Sequence, residues 1–89
     1  MAEIVLDGLE IRSAEAVHDR FAQGLNLPAW YGRNLDALFD CLTERGEPVT
    51  IRLLHPDALE DCLGRRGRVL VRLLRRAAEE NPRLTLLEE

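Results

Sequence analysis

Two aspartates and three aromatic rings crowd into the stretch "WYGRNLDALFDCL", residues 30–42. Asp36 and Asp40 are four apart, so on a helix they share one face, with Phe39 beside them. Like charges at that spacing destabilise an isolated helix by roughly 0.2–0.5 kcal/mol, so the pair asks for a chemical reason. Two carboxylates one turn apart could serve as an acid and a base. That work needs surroundings that drive the two pKa values apart, usually burial in a pocket. A short exposed helix in a chain of 89 residues offers little to bury them. As metal ligands they are too few, since calcium takes about six to eight oxygens and zinc asks for histidine or cysteine.

Other residues that could do chemistry are no better placed. His18 and His55 stand at no recognisable motif spacing from a serine or cysteine nucleophile. "GRRGR" (64–68) lacks the Lys-Ser/Thr ending that gives a phosphate-binding loop its chemistry. Cys41 and Cys62 fit no CxxC or metal-ligand spacing and are expected as reduced thiols on the buried side of helices, as in a cytoplasmic protein. No catalytic residue, cofactor or metal is therefore assigned, and the chain is not expected to be an enzyme.

Charge narrows the partners. The formal net charge is −4, and all twelve basic residues are arginine. Asp36, Asp40, Glu44 and Glu47 face only Arg45 within 34–47, whereas 64–78 holds six arginines and no acid. Arg68, Arg72, Arg75 and Arg76 fall on one side of a helix, and such a stripe can follow a phosphate backbone. Without interleaved aromatics or a nucleic-acid motif, a solvated helix face is the preferred reading, and no nucleic-acid partner is expected. No run approaches the roughly 20 apolar residues that span a bilayer. "MAEIVLDGLE" lacks the basic and apolar regions of a signal peptide, so a cytoplasmic location without membrane contact is expected.

A protein-binding face is what is left for the aspartates. Trp30, Tyr31 and Phe39 are three of only four aromatic residues. Aromatic side chains dominate binding hot spots, and carboxylates rimmed by them suit a basic partner whose opposed potential steers encounter. The competing reading keeps Tyr31 and Phe39 as plugs at the edge of a small core, with the aspartates merely solvating the helix. The residue pattern alone leaves both open.

The elements that must hold this stretch can be read from periodicity and punctuation. "EIVLD" (3–7) is a β-branched-rich run ended by Gly8. Ser13 is an N-cap for a helix whose stripe is Ala14, Val17, Phe21 and Leu25, and Pro28 stops it. Asn34 caps a helix over 35–43 with Leu35, Leu38 and Leu42 as its core stripe and Asp36, Phe39, Asp40 and Thr43 as a second one. "VTIRLL" (49–54) is a strand, and Pro56 and Gly64 bracket a short helix. A longer helix over 68–80 is expected to bury Val69, Leu70, Leu73, Leu74 and Ala77 before "NP" ends it, and "RLTLL" (83–87) is the last strand. The order β-α-α-β-α-α-β predicts an α/β fold, a three-stranded parallel sheet packed against about four helices, in one domain over 1–89.

"LPAWYGRNLDALFDCLT" (27–43) closely resembles the signature segment of the barstar family, intracellular inhibitors of extracellular ribonucleases of the barnase type. "EIVLDGLEIRS" (3–13), His18 and "LLRRAAEE" (73–80) follow the same pattern, so nearly the whole chain is covered. The resemblance implies the fold just derived and a non-catalytic inhibitor. Its second helix and the preceding loop would plug the active site of a small basic ribonuclease, with acids in place of RNA phosphates. By position, Asp40 would be the central plug and Asp36 would pair with bases at the rim. Trp30 stands where the family usually has a tyrosine stacked on the enzyme's catalytic histidine. Gly32, Asn34, Leu35 and Thr43 would be further contacts, and Phe39 replaces a usual tryptophan. Tyr31 and the acid Glu44 complete the expected binding set. The chain departs from the pattern at Glu44 and Arg45, where a glycine and a tryptophan are usual, and at Arg76, where an acidic contact is usual. A monomer is expected when free. The alternative is an acidic interaction module of the same fold acting on another basic protein.

Overall fold

The computed structural model describes residues 2–89. In chain order the elements are β1 (Ala2–Asp7), α1 (Ala14–Gly24), α2 (Leu35–Glu44), β2 (Val49–Leu54), α3 (Pro56–Leu63), α4 (Arg65–Glu80) and β3 (Leu84–Glu88). The strands form one parallel sheet in the order β1-β2-β3, with Ile51 of β2 opposite Ile4 on one side and Leu86 on the other. This is the α/β architecture expected from the order of elements.

Period-two alternation decides which face of the sheet is covered. Ile4 and Leu6 of β1 and Val49, Ile51 and Leu53 of β2 are buried, while the residues between them stay half-exposed. Onto that apolar face fall Val17, Phe21 and Leu25 from α1 and its C-cap, Leu38 and Leu42 from α2, Leu59 from α3, and Leu70, Val71, Leu74 and Ala77 from α4. Burying a leucine or phenylalanine side chain is worth roughly 1.5–3 kcal/mol, so this one cluster holds all seven elements together.

The structure corrects four expectations about elements and burial. α4 starts at Arg65, not at residue 68, because Gly64 (φ 63°) ends α3 and the chain re-enters a helix at once. Gly67 is buried there, and a Cβ on it would lie 2.9 Å from the Leu59 carbonyl oxygen, so only glycine lets α4 cross α3 this closely. Val69 is 38% exposed, because α4 turns Gly67, Leu70, Val71, Leu74 and Ala77 inward instead. Cys62 is exposed on short α3, its thiol donating to the Arg12 carbonyl at 3.8 Å. β3 runs one residue later than expected, and Arg83 before it already accepts from the Val49 N–H. No helix among the described residues is long and apolar enough to cross a membrane.

Candidate protein-binding face

The loop between α1 and α2 is tied down at nearly every residue. The Tyr31 N–H donates to the Pro28 carbonyl at 3.0 Å, closing a turn that leaves Trp30 at the tip, 85% exposed. Tyr31 points the other way. It is 7% exposed, and its hydroxyl is hydrogen-bonded at 2.7 Å to Nδ1 of buried His18 on α1. Burial keeps both groups neutral at physiological pH. It lowers the His18 pKa, helped by the Arg33 charge, and pushes the Tyr31 pKa up to about 12, helped by Cys41. Arg33 adopts a left-handed backbone (φ 53°), unusual for a non-glycine residue, and its guanidinium is paired with Asp19 and donates to the Glu15 carbonyl at 3.3 Å. α1 thus clamps the loop by two side-chain links.

Asn34 then starts α2. Its side-chain oxygen accepts from the Ala37 N–H at 2.8 Å, while its amide donates back to the Gly32 carbonyl at 3.3 Å. Such an N-cap is worth about 1 kcal/mol. Leu38 and Leu42 are fully buried and Leu35 half-buried, which fixes the rotation of the helix. The opposite side carries exposed Asp36 and Asp40 with half-buried Phe39 between them, and exposed Glu44 one turn beyond Asp40. Asp36 in the first turn is favoured by the positive end of the helix dipole, whereas Glu44 in the last turn has no basic neighbour within the helix to offset the negative end. The Thr43 hydroxyl turns back to donate to the Phe39 carbonyl at 2.8 Å. Cys41 remains a thiol, its pKa raised by burial and by the charges of Asp40 and Glu44.

The far end of α2 is held by a residue that no sequence pattern singles out. Asn81, only 4% exposed, donates its amide to the carbonyls of Leu42 (2.8 Å) and Arg45 (3.1 Å), and its oxygen accepts from the Arg83 N–H at 3.0 Å. In the sequence, "NP" reads only as the end of α4. Its amide instead caps a helix 39 residues earlier, and no local pattern marks that.

Nine of the ten expected binding residues therefore remain at least partly accessible, while Tyr31 lies in the core and serves as a support of the loop. The face also has an opposite wall. Asp36, Phe39 and Asp40 of α2 line a groove of about 580 Å³ with Val69, Arg72 and Arg76 of α4. The Arg76 guanidinium lies over the Phe39 ring, 5.6 Å from its centroid, with its Nε 3.5 Å from Glu80. Arg75 leaves the arginine stripe to pair with Glu88 at 2.7 Å. Among the described residues, Asp36, Asp40 and Arg72 have no ion-pair partner within 4 Å.

Comparison with known proteins gives this face a context. The family model described as "Barstar (barnase inhibitor)" matches residues 1–87. A Bacillus subtilis (strain 168) protein named "Putative ribonuclease inhibitor YrdF" is 36% identical over 81 residues, which cover 90% of this chain and 89% of that protein. The family consists of inhibitors, not enzymes. A near full-length family match, a relative of similar length and the parallel three-stranded fold agree: the chain belongs to the barstar family.

Proposed function

We propose that this protein is a cytoplasmic inhibitor of a small, basic, guanyl-type ribonuclease of the barnase kind, and that α2 and the loop before it close the enzyme's active site. The observation that carries the reading is the row Asp36–Asp40 on a helix whose other side is immobilised by Leu38 and Leu42 and whose two ends are capped by Asn34 and Asn81. A ribonuclease must concentrate positive charge where it holds RNA phosphates. Carboxylates on a rigid helix occupy such a site without a hydrolysable bond. Asp40, in mid-helix, is the central plug and Asp36 the rim contact. Exposed Trp30 supplies a flat apolar surface that stacks on the enzyme, a role aromatic rings fill in hot spots. The clamped loop supports the reading further, since a surface held in its bound shape loses less entropy on docking.

The test is inhibition of the guanyl-type ribonuclease purified from the culture medium of the source organism. Removing one member of a desolvated charge pair costs about 2–5 kcal/mol, so Asp40→Ala is expected to weaken inhibition roughly 30- to 4,000-fold. Unchanged inhibition by Asp40→Ala would refute the plug.

A further inference from the structure

We propose that the groove between α2 and α4 recognises a partner of mixed charge, with Arg72 and Arg76 receiving an exposed carboxylate that lies beside the cationic site taken by Asp36 and Asp40. That carboxylate would decide which ribonuclease is bound. The inference rests on the inhibitor reading above and adds to it the chemistry of the partner's rim.

The two walls of the groove carry opposite charge. Asp36 and Asp40 lie one helical turn apart on α2, and Arg72 and Arg76 lie one turn apart on α4, with Phe39 and Val69 between them. Each wall sets like charges at the spacing that disfavours its own helix. The walls do not neutralise each other, since no carboxylate of α2 reaches an arginine of α4 within 4 Å. Arg76 is held at the lip of the groove by the face of Phe39, at a distance where cation and ring attract. Its pairing with Glu80 is at the surface and so weak enough to be exchanged for a partner's acid.

A partner of one sign fits badly. A purely cationic surface that meets Asp36 and Asp40 also meets two guanidiniums across the groove. A polyanion such as RNA that meets Arg72 and Arg76 also meets two carboxylates. Only a surface with a base and an acid side by side satisfies both walls, and like-charge contacts reject the others.

The experiment compares wild type, Asp40→Ala and the double variant Arg72→Glu/Arg76→Glu as inhibitors of the same purified guanyl-type ribonuclease. Both arginines are exposed, so the fold survives the change, which circular dichroism checks; Arg72→Gln/Arg76→Gln serves as a milder second variant. Charge reversal is expected to weaken inhibition at least about tenfold. Changing one surface Asp or Glu of the ribonuclease to Arg is expected to restore it. If Asp40→Ala loses inhibition while both arginine variants inhibit as well as wild type, the carboxylate pocket is refuted and the inhibitor reading stands. If wild type does not inhibit, both fall. Retention of wild type on immobilised RNA that the double variant loses would make the groove a polyanion surface and overturn the inference as well.

Discussion

Changing Tyr31 to phenylalanine tests whether α1 holds the loop that leads into α2. The ring that fills the edge of the core is kept and one oxygen is deleted. That oxygen shares a 2.7 Å hydrogen bond with His18, a residue only 6% exposed, so Nδ1 of the imidazole loses its partner where water barely reaches. Losing such a bond and stranding its buried partner costs about 1–3 kcal/mol. For a chain of this size each kcal/mol moves the melting midpoint by roughly 4–8 °C, so a fall of about 4–24 °C is expected, with an unchanged urea m-value. The pH profile gives a second signature. Burial pushes the Tyr31 pKa up to about 12, above the value of roughly 10 in the unfolded chain. The folded state therefore holds this proton more tightly, and its contribution is complete below about pH 10 and lost as pH rises toward 12. Tyr31 is the only tyrosine, and the chain has no lysine to titrate nearby, so Tyr31→Phe is expected to shrink that alkaline limb to the part Cys41 contributes through its own raised pKa. The measurement is a urea titration of both proteins at neutral pH and at about pH 10–11. A stability change under about 0.5 kcal/mol together with an unaltered alkaline limb would refute the clamp.

Two further outcomes follow from neighbouring contacts. Asn81→Ala removes two donors from the end of α2 and leaves the buried Leu42 carbonyl unpaired, which is expected to destabilise by about 2–4 kcal/mol; urea unfolding measures the loss, and hydrogen exchange should show faster opening of residues 42–45. His18 has a folded-state pKa below its ordinary value through burial and the Arg33 charge, so the folded state resists taking the proton and stability should decline as pH falls below about 6.5. His18→Gln, which keeps a neutral partner for Tyr31 but cannot charge, is expected to reduce the decline between pH 7 and 5.5; a decline of the same size would show that His18 does not cause it.

Features written into neighbouring residues were legible in the sequence. The cap Asn34, the leucines at 35, 38 and 42, and the Pro56–Gly64 bracket around α3 state local preferences that the fold leaves alone. The parallel pairing of the strands followed from crossover helices. Features created by tertiary contact were not. "GRRGR" reads as a loop because glycine disfavours a helix by about 1 kcal/mol, yet packing against α3 makes Gly67 the residue that belongs there. Val69 sits in the apolar run "VLV", where periodicity alone cannot choose the inward positions, and the groove took it. Of the aromatic cluster, the sequence could not say which rings pack inward. Tyr31 plugs the core edge and Trp30 stands free, a division set by His18 on another helix. The arginine wall was visible as a stripe, but its position opposite Asp36 and Asp40 needed the packing of α4 on α2.

The amide of Asn81 also sets an order of events during synthesis. The last carbonyls of α2 find their partner only when the chain has grown 36–39 residues further. At roughly 5–20 residues per second, that is an interval of about 2–8 seconds on the ribosome. β3, the outer partner of β2, comes later still. Until then the aspartate helix has its first cap but not its last, and the sheet beneath it lacks a strand. A chain released before residue 81 carries every residue of the acidic row without the fixture that holds the row's far end, so this face is complete only once Asn81 and β3 have been added.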